Sequence, residues 1–240
     1  MHFEIVKSDQ LTVEPLRRLF LSEIKFQFIY NKCHKAGWAD VYLFTMNNLH
    51  IGYGSVWGKD KRENRDTIFE FYISEPFRKY DSLIFADFMQ YSGTGFIECQ
   101  SNDILITRML FEYAENIKAE AIIFEDSYET DLKIPGSRLV KNEISDENIE
   151  YRLEKDEGLV ATGGYVWNYN YPFIDLYYEV KEEHRKNGFG SLIVQELKKE
   201  AYRLKRVPAA RCNVKNMASK RTLLKAGMRV CGYILLGELI

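Results

Sequence analysis

The chain repeats itself, and a repeat confines the fold to two copies of one supersecondary unit. VYLFTMNNLHIGYGSVW (41–57) aligns without a gap on YRLEKDEGLVATGGYVW (151–167). Gly54 falls on Gly164 and Trp57 on Trp167. Both segments read as β-hairpins, turning at Asn-Asn and at Asp-Glu-Gly. EFYISEPFRKYDSLIFADFM (70–89) then parallels LYYEVKEEHRKNGFGSLIVQEL (176–197). Each runs strand, short loop, Arg-Lys, then Ser-Leu-Ile opening a helix. The second copy is two residues longer, and the extra length falls in a glycine loop. FIECQSNDILITRMLFEYA (96–114) parallels AARCNVKNMASKRTLLKAG (209–227), with Cys99 on Cys212, Arg108 on Arg221 and Leu110 on Leu223.

Each copy reads as hairpin, strand, helix, strand, helix, strand. That order predicts an α/β (α+β) protein of two units, each a mixed, mostly antiparallel sheet with flanking helices. The polar stretch IPGSRLVKNEISDEN (134–148) places the boundary, giving domains 1–137 and 138–240. The first copy alone has a long helical stretch before its hairpin. Leu16, Leu19, Phe20, Ile24 and Phe28 form an apolar stripe there at helical spacing, read as core.

No apolar run approaches the roughly 20 residues that span a bilayer, and MHFEIVKSDQ lacks the features of a secretion signal. Cys33, Cys99, Cys212 and Cys231 fit no zinc spacing and read as reduced thiols. The expectation is a cytoplasmic protein with no membrane contact and no metal, a monomer or a homodimer. The formal net charge is −2, but residues 181–229 hold 14 Lys/Arg against 4 Asp/Glu. A local excess of that sign calls for a polyanion. No basic–aromatic interleaving or helix-turn-helix pattern points to nucleic acid, which leaves a phosphorylated small molecule.

The phosphate has an obvious seat. FIDLYYEV reads as a strand, HRKNGFG as a loop, and Ser191 onward as a helix. Backbone N–H groups at a helix N-terminus bind phosphate. Gly188 and Gly190 let it approach the amides, and Arg185 and Lys186 add charge. The pattern is neither a P-loop nor the dinucleotide G-x-G-x-x-G.

RKNGFG after a strand resembles the acyl-CoA pyrophosphate loop of the GNAT N-acetyltransferase superfamily. NMASKRTLLKAGM (216–228) is similar to that family's second signature, with Asn216 first and the small Ser219 three residues on. The resemblance covers roughly residues 138–240. It implies acetyl-CoA, or another acyl-CoA, as co-substrate, held by Val180, Arg185, Lys186, Asn187, Gly188, Phe189, Gly190, Ser191, Asn216 and Ser219. The first copy resembles the same fold but reads FRKYDSL, with Asp81 where phosphate would go. Residues 74–116 carry 3 basic against 7 acidic residues, so that copy is expected to be degenerate.

The resemblance implies acyl transfer to a primary amine of a small molecule or peptide, by direct attack on the thioester. Such an amine must lose a proton. Asp175 and Glu179 are the candidate bases, sharing strand parity with Tyr177 unless a bulge intervenes. The backbone N–H of Val180 is the expected donor to the oxyanion. The family often protonates the departing thiolate with a Tyr at a position that is Leu223 here, so Tyr177 or Tyr233 stands in as candidate. Without a donor, the alternative is a non-catalytic acyl-CoA-binding or sensing protein.

Overall fold

The computed structural model describes residues 3–23, 31–145, 148–167 and 169–240. Their elements are, in order, β1 (Phe3–Ser8), α1 (Gln10–Glu23), α2 (Asn31–Lys35), β2 (Asp40–Met46), β3 (Leu49–Trp57), β4 (Thr67–Ile73), α3 (Asp81–Ser92), β5 (Phe96–Gln100), α4 (Ile104–Tyr113) and β6 (Ala114–Asp126). The second half follows with β7 (Ser137–Ser145), β8 (Asn148–Lys155), β9 (Gly158–Val166), β10 (Phe173–Val180), α5 (Phe189–Arg203), β11 (Val207–Asn213), α6 (Met217–Lys225) and β12 (Met228–Leu239). The described ladders are antiparallel except β4–β5 and β10–β11, which are parallel. This is the α+β class expected from the sequence.

Two compact units result, and they are not divided at 137/138. Unit 1 takes the described residues up to Glu120 together with Tyr233–Ile240, while unit 2 takes Ala121–Gly232. The reason lies in strand pairing. The second half of β6 runs antiparallel to β11, from Ala209↔Glu125 to Asn213↔Ala121, so unit 2 needs residues from before the expected boundary. The end of β12 runs antiparallel to β5, from Ile234↔Gln100 to Glu238↔Phe96. The last strand of the chain therefore completes unit 1, and Tyr233 belongs to that unit. Within unit 1 the sheet order is β1-β2-β3-β4-β5-β12, and within unit 2 it is β6-β11-β10-β9-β8-β7.

The repeat is real in three dimensions but lies one residue away from the gapless alignment. Both hairpins turn on two residues at positive φ, Asn47–Asn48 and Asp156–Glu157. Both then bulge at the same step, between Phe44 and Thr45 and between Leu153 and Glu154. Matching turns and bulges puts Gly54 on Gly163, not Gly164, and Trp57 on Val166. A one-residue slip moves a side chain to the other face, and the packing shows which face is meant. A Cβ on Gly54 would lie 2.4 Å from Phe88 of α3, and one on Gly163 would lie 2.9 Å from Leu197 of α5. Gly164 faces the opposite side, against Tyr177. In the next strands Gly52↔Ile73 matches Ala161↔Val180, and Ser55↔Glu70 matches Gly164↔Tyr177.

Each unit has its own core. In unit 1, Phe44, Phe71, Phe85 and Phe88 pack between α3 and the sheet. Leu16 and Phe20 of the α1 stripe are buried, Leu19 is exposed, and Ile24 and Phe28 lie outside the described residues. In unit 2, Phe189, Ile193, Val194 and Leu197 of α5 pack on β8–β11. Lys198 is only 2% exposed. Its Nζ donates to the carbonyls of Tyr128 (2.7 Å), Ala226 (2.9 Å) and Gly227 (3.2 Å), and meets Asp126 Oδ1 at 2.7 Å. Replacing it with Met strips buried acceptors of their donor, so Lys198→Met should cost about 3 kcal/mol in chemical denaturation. A wild-type midpoint would show that the ammonium is dispensable.

Candidate active site

Strands β10 and β11 pair for three residues only, Phe173↔Val207, Ile174↔Pro208 and Asp175↔Ala209. Past Asp175 they part, while β10 stays on β9 as far as Val180↔Ala161. The N–H of Lys181 donates to the carbonyl of Val160 on the β9 side (3.0 Å). Backbone groups alternate along a strand, so the N–H groups of Tyr178 and Val180 point the other way, into the opening where the β11 ladder has ended. The result is a V-shaped gap edged by free strand backbone.

The glycine loop closes the wide end of this gap. A 3₁₀ turn, Glu182–His184, leads through Lys186 at φ 64° and Gly188 at φ 87° into α5. A Cβ at Gly188 would meet nothing closer than Ile134 Cδ1, at 3.6 Å, so the left-handed backbone is what requires glycine there. Gly190 lies in a tight space. A Cβ on it would lie 3.1 Å from Thr222 of α6 and 3.5 Å from Tyr178. Arg185 is exposed and donates Nε to the carbonyl of Val180 (3.2 Å). Lys186 and Asn187 are also exposed, and Asn187 bonds back to the His184 carbonyl (3.4 Å).

Not every expected cofactor contact faces the gap. Phe189 is 4% exposed in the core, its ring edge-on to His184. Ser191 is buried and donates to the Thr222 carbonyl (3.2 Å). These two residues offer a ligand their amides rather than their side chains. Asn216 caps α6 by accepting the Ser219 N–H (3.0 Å). The Ser219 hydroxyl in turn lies 3.0 Å from that of Tyr178, a bridge from β10 to the first turn of α6. Tyr178 lies at the opposite parity of β10 from Asp175, Tyr177 and Glu179, and only the folding of α6 onto the strand reveals its place. Burial pushes its phenol up, which keeps it protonated.

The parity reading itself holds, because the β9–β10 ladder runs without a register shift from Asp175 to Val180. Asp175, Tyr177 and Glu179 share a face, yet their surroundings differ. Tyr177 is 45% exposed and lies over Gly164, while Glu179 stands in solvent. Asp175 is 7% exposed, and its Oδ1 has no hydrogen-bond partner among the described residues. Burial pushes its carboxyl up to about 7, against the opposing charge of Arg211 and a hydrogen bond from Tyr169. Leu223 is buried in the core.

Unit 1 keeps the frame of this site without its loop. Its parallel pair, β4–β5, also parts early, after Thr67↔Phe96 and Ile68↔Ile97. Arg78 donates Nε to the Ile73 carbonyl (3.1 Å), as Arg185 does to Val180. Asp103 caps α4 as Asn216 caps α6. At the position of Tyr177 stands Glu70, 2% exposed, held by Arg17 (2.9 Å) and His34 (2.8 Å). Burial alone would raise the Glu70 carboxyl, but these two partners outweigh it and hold it well below the usual range.

A strand gap ending in a glycine-turned helix start presents backbone N–H groups to an anionic ligand. Residues 116–228 match the acetyltransferase (GNAT) family. That segment, just under half of the chain, holds the glycine loop, α5, β11 and α6. Over its full length the fold is that of tandem GNAT proteins. A GNAT-family acetyltransferase from Colwellia psychrerythraea superposes with a TM-score of 0.79 at 14% identity, covering 99% of this chain and 100% of the other. A tandem GNAT protein from the clavulanic acid biosynthesis pathway gives a TM-score of 0.64 at 9% identity, covering 99% and 98%. Among curated proteins no relative matches. No helix among the described residues is long and apolar enough to cross a membrane.

Proposed function

We propose that unit 2 is an acyl-CoA-dependent N-acyltransferase, using acetyl-CoA and a primary amine of a small molecule or peptide. The observation that carries this reading is the parting of β10 and β11 at Asp175, with free strand edge running to the glycine loop. The amides of residues 188–191, with Arg185 and Lys186, would hold the pyrophosphate. The edge of β10 and the first turn of α6 at Asn216 and Ser219 would flank the pantetheine arm. The bound thioester supplies the activated carbonyl.

The chain supplies a base, an oxyanion donor and a proton donor. A base must act near the N–H that serves the oxyanion, directly or through a water, which leaves two pairings on β10. One is Glu179 with Val180, adjacent in the strand. The other is Asp175 with Tyr178, about 10 Å apart along the strand and bridged by the amine and a water. Asp175 and Val180 are five residues apart, about 16 Å along a strand, so they do not serve the same carbon. Burial favours Asp175. Its raised carboxyl is suited to taking a proton near neutral pH. With Leu223 buried, the phenol of Tyr178, 3.0 Å from the Ser219 hydroxyl, is the proposed proton donor to the thiolate.

Only the carboxylate form of Asp175 can accept a proton, so activity should rise with pH through about 7 and then level. Asp175→Asn should lower kcat by about a hundredfold or more and abolish that limb, with CoA affinity retained. Glu179→Gln should change the rate less than about threefold. If Glu179→Gln is the damaging change, the other pairing is correct. If CoA binds but no amine releases thiol, the sensing reading replaces the enzyme.

A further inference from the structure

Unit 1 contains a cleft of about 710 Å³ in the gap where β4 and β5 part. It stands where unit 2 keeps its cofactor loop, but its chemistry is different. Asp81 occupies the position of Gly190 and accepts the N–H of Ser82 (2.7 Å). A first-turn amide that a phosphate would use is thereby satisfied from within. The cations at the rim are engaged as well. Arg108 pairs with Asp81, Arg78 with Glu23, and Lys79 lies over the ring of Tyr80 (5.0 Å).

One carboxylate lining the cleft has no ion-pair partner among the described residues. It is Asp103, 5% exposed. The N–H of Ile106 reaches its Oδ1 at 3.4 Å, as expected of a cap. Desolvation of this carboxyl is severe enough to push it up to about 7. The rest of the lining includes the apolar faces of Phe20, Phe71, Tyr72 and Leu105. An unpaired buried carboxylate at the end of an apolar, aromatic cleft is complementary to an ammonium group on a hydrocarbon chain.

We propose that the unit 1 cleft is a binding site for an aliphatic amine, with its ammonium on Asp103 and its chain along Phe20, Phe71 and Leu105. The site is separate from the cofactor loop of unit 2 and does not depend on the function proposed for it. The full chain, labelled with ¹⁵N, would be titrated with n-pentylamine and no CoA. The expected result is a saturable shift of the Tyr72 and Asp103–Leu105 amides. Asp103→Asn should weaken it at least tenfold. That variant installs the residue that unit 2 uses at the matching position, and Asn caps a helix as well as Asp does, so the fold should be preserved. Asp103→Ser, a second capping residue, provides the same comparison if the Asn variant is insoluble. Equal affinity for 1-pentanol, an unchanged response in the Asp103 variants, or shifts confined to residues 121–232 would each overturn the proposal.

Discussion

A chain ended at Gly232 should lose the fold of unit 1, although the segment removed lies after the whole second copy. Ile234 and Leu236 are 6% and 2% exposed, and Leu235 and Leu239 pack against the same core. Burying each large aliphatic side chain contributes about 1.5–3 kcal/mol. Four of them amount to much of the 5–15 kcal/mol that stabilises an ordinary domain. The loss includes the ladder to β5 and the bonds from Leu239 N–H to the Gly95 carbonyl (2.9 Å) and from Ile240 N–H to the Tyr113 carbonyl (3.0 Å). Hydrogen exchange should show amides of β2, β3 and β4 unprotected in the shortened chain. Retained protection there would mean that β5 does not need its partner. For the same reason, a fragment of 138–240 is not a unit. It lacks the half of β6 that pairs with β11 and carries a final strand whose partner, β5, is absent. A fragment of 121–232 holds the strands of unit 2.

The sequence disclosed the repeat, the class of fold and the glycine loop, because each is written in local pattern. Turn residues, Arg-Lys and Ser-Leu-Ile recur at near-constant spacing, and the parallel third segment aligns residue for residue, with Asp103 and Asn216 both capping helices. The hairpin alignment slipped by one because Gly-Tyr-Gly and Gly-Gly-Tyr each offer two glycines, and only packing against α3 or α5 tells which one faces the helix. The exchange of the last strand was invisible for a different reason. Pairing partners far apart in sequence leave no mark in either strand, so VCGYILLGEL reads the same whichever β5-like neighbour it finds. Asp175 and Glu179 were equal candidates on parity. What separates them is burial, which depends on the covering loop around Tyr169 and on where β11 leaves β10. Ser191 and Phe189 look like ligand contacts in a motif, yet their side chains hold α5 to α6 and to the core.

The sharpest test of the cofactor site is Gly188→Glu, and two separable costs make its effect large. Gly188 sits at φ 87°, where an L-residue costs roughly 1–2 kcal/mol. That cost falls on the loop that presents the amides of α5. The added carboxylate would also stand beside the proposed pyrophosphate seat and oppose the attraction that the exposed Arg185 and Lys186 offer an anion. Together these should weaken CoA binding by a hundredfold or more in a calorimetric titration, from a wild-type stoichiometry of one per chain. Gly188→Ala carries the backbone cost without the charge and should fall between the two. Gly190→Ala should behave differently. Its added methyl meets Thr222 at 3.1 Å, so it should lower the melting temperature by pressing α5 away from α6. Wild-type affinity in Gly188→Glu would remove the loop from the site. A stoichiometry of two would instead mean that unit 1 binds the same cofactor, against its glycine-free loop and the carboxylate of Asp81.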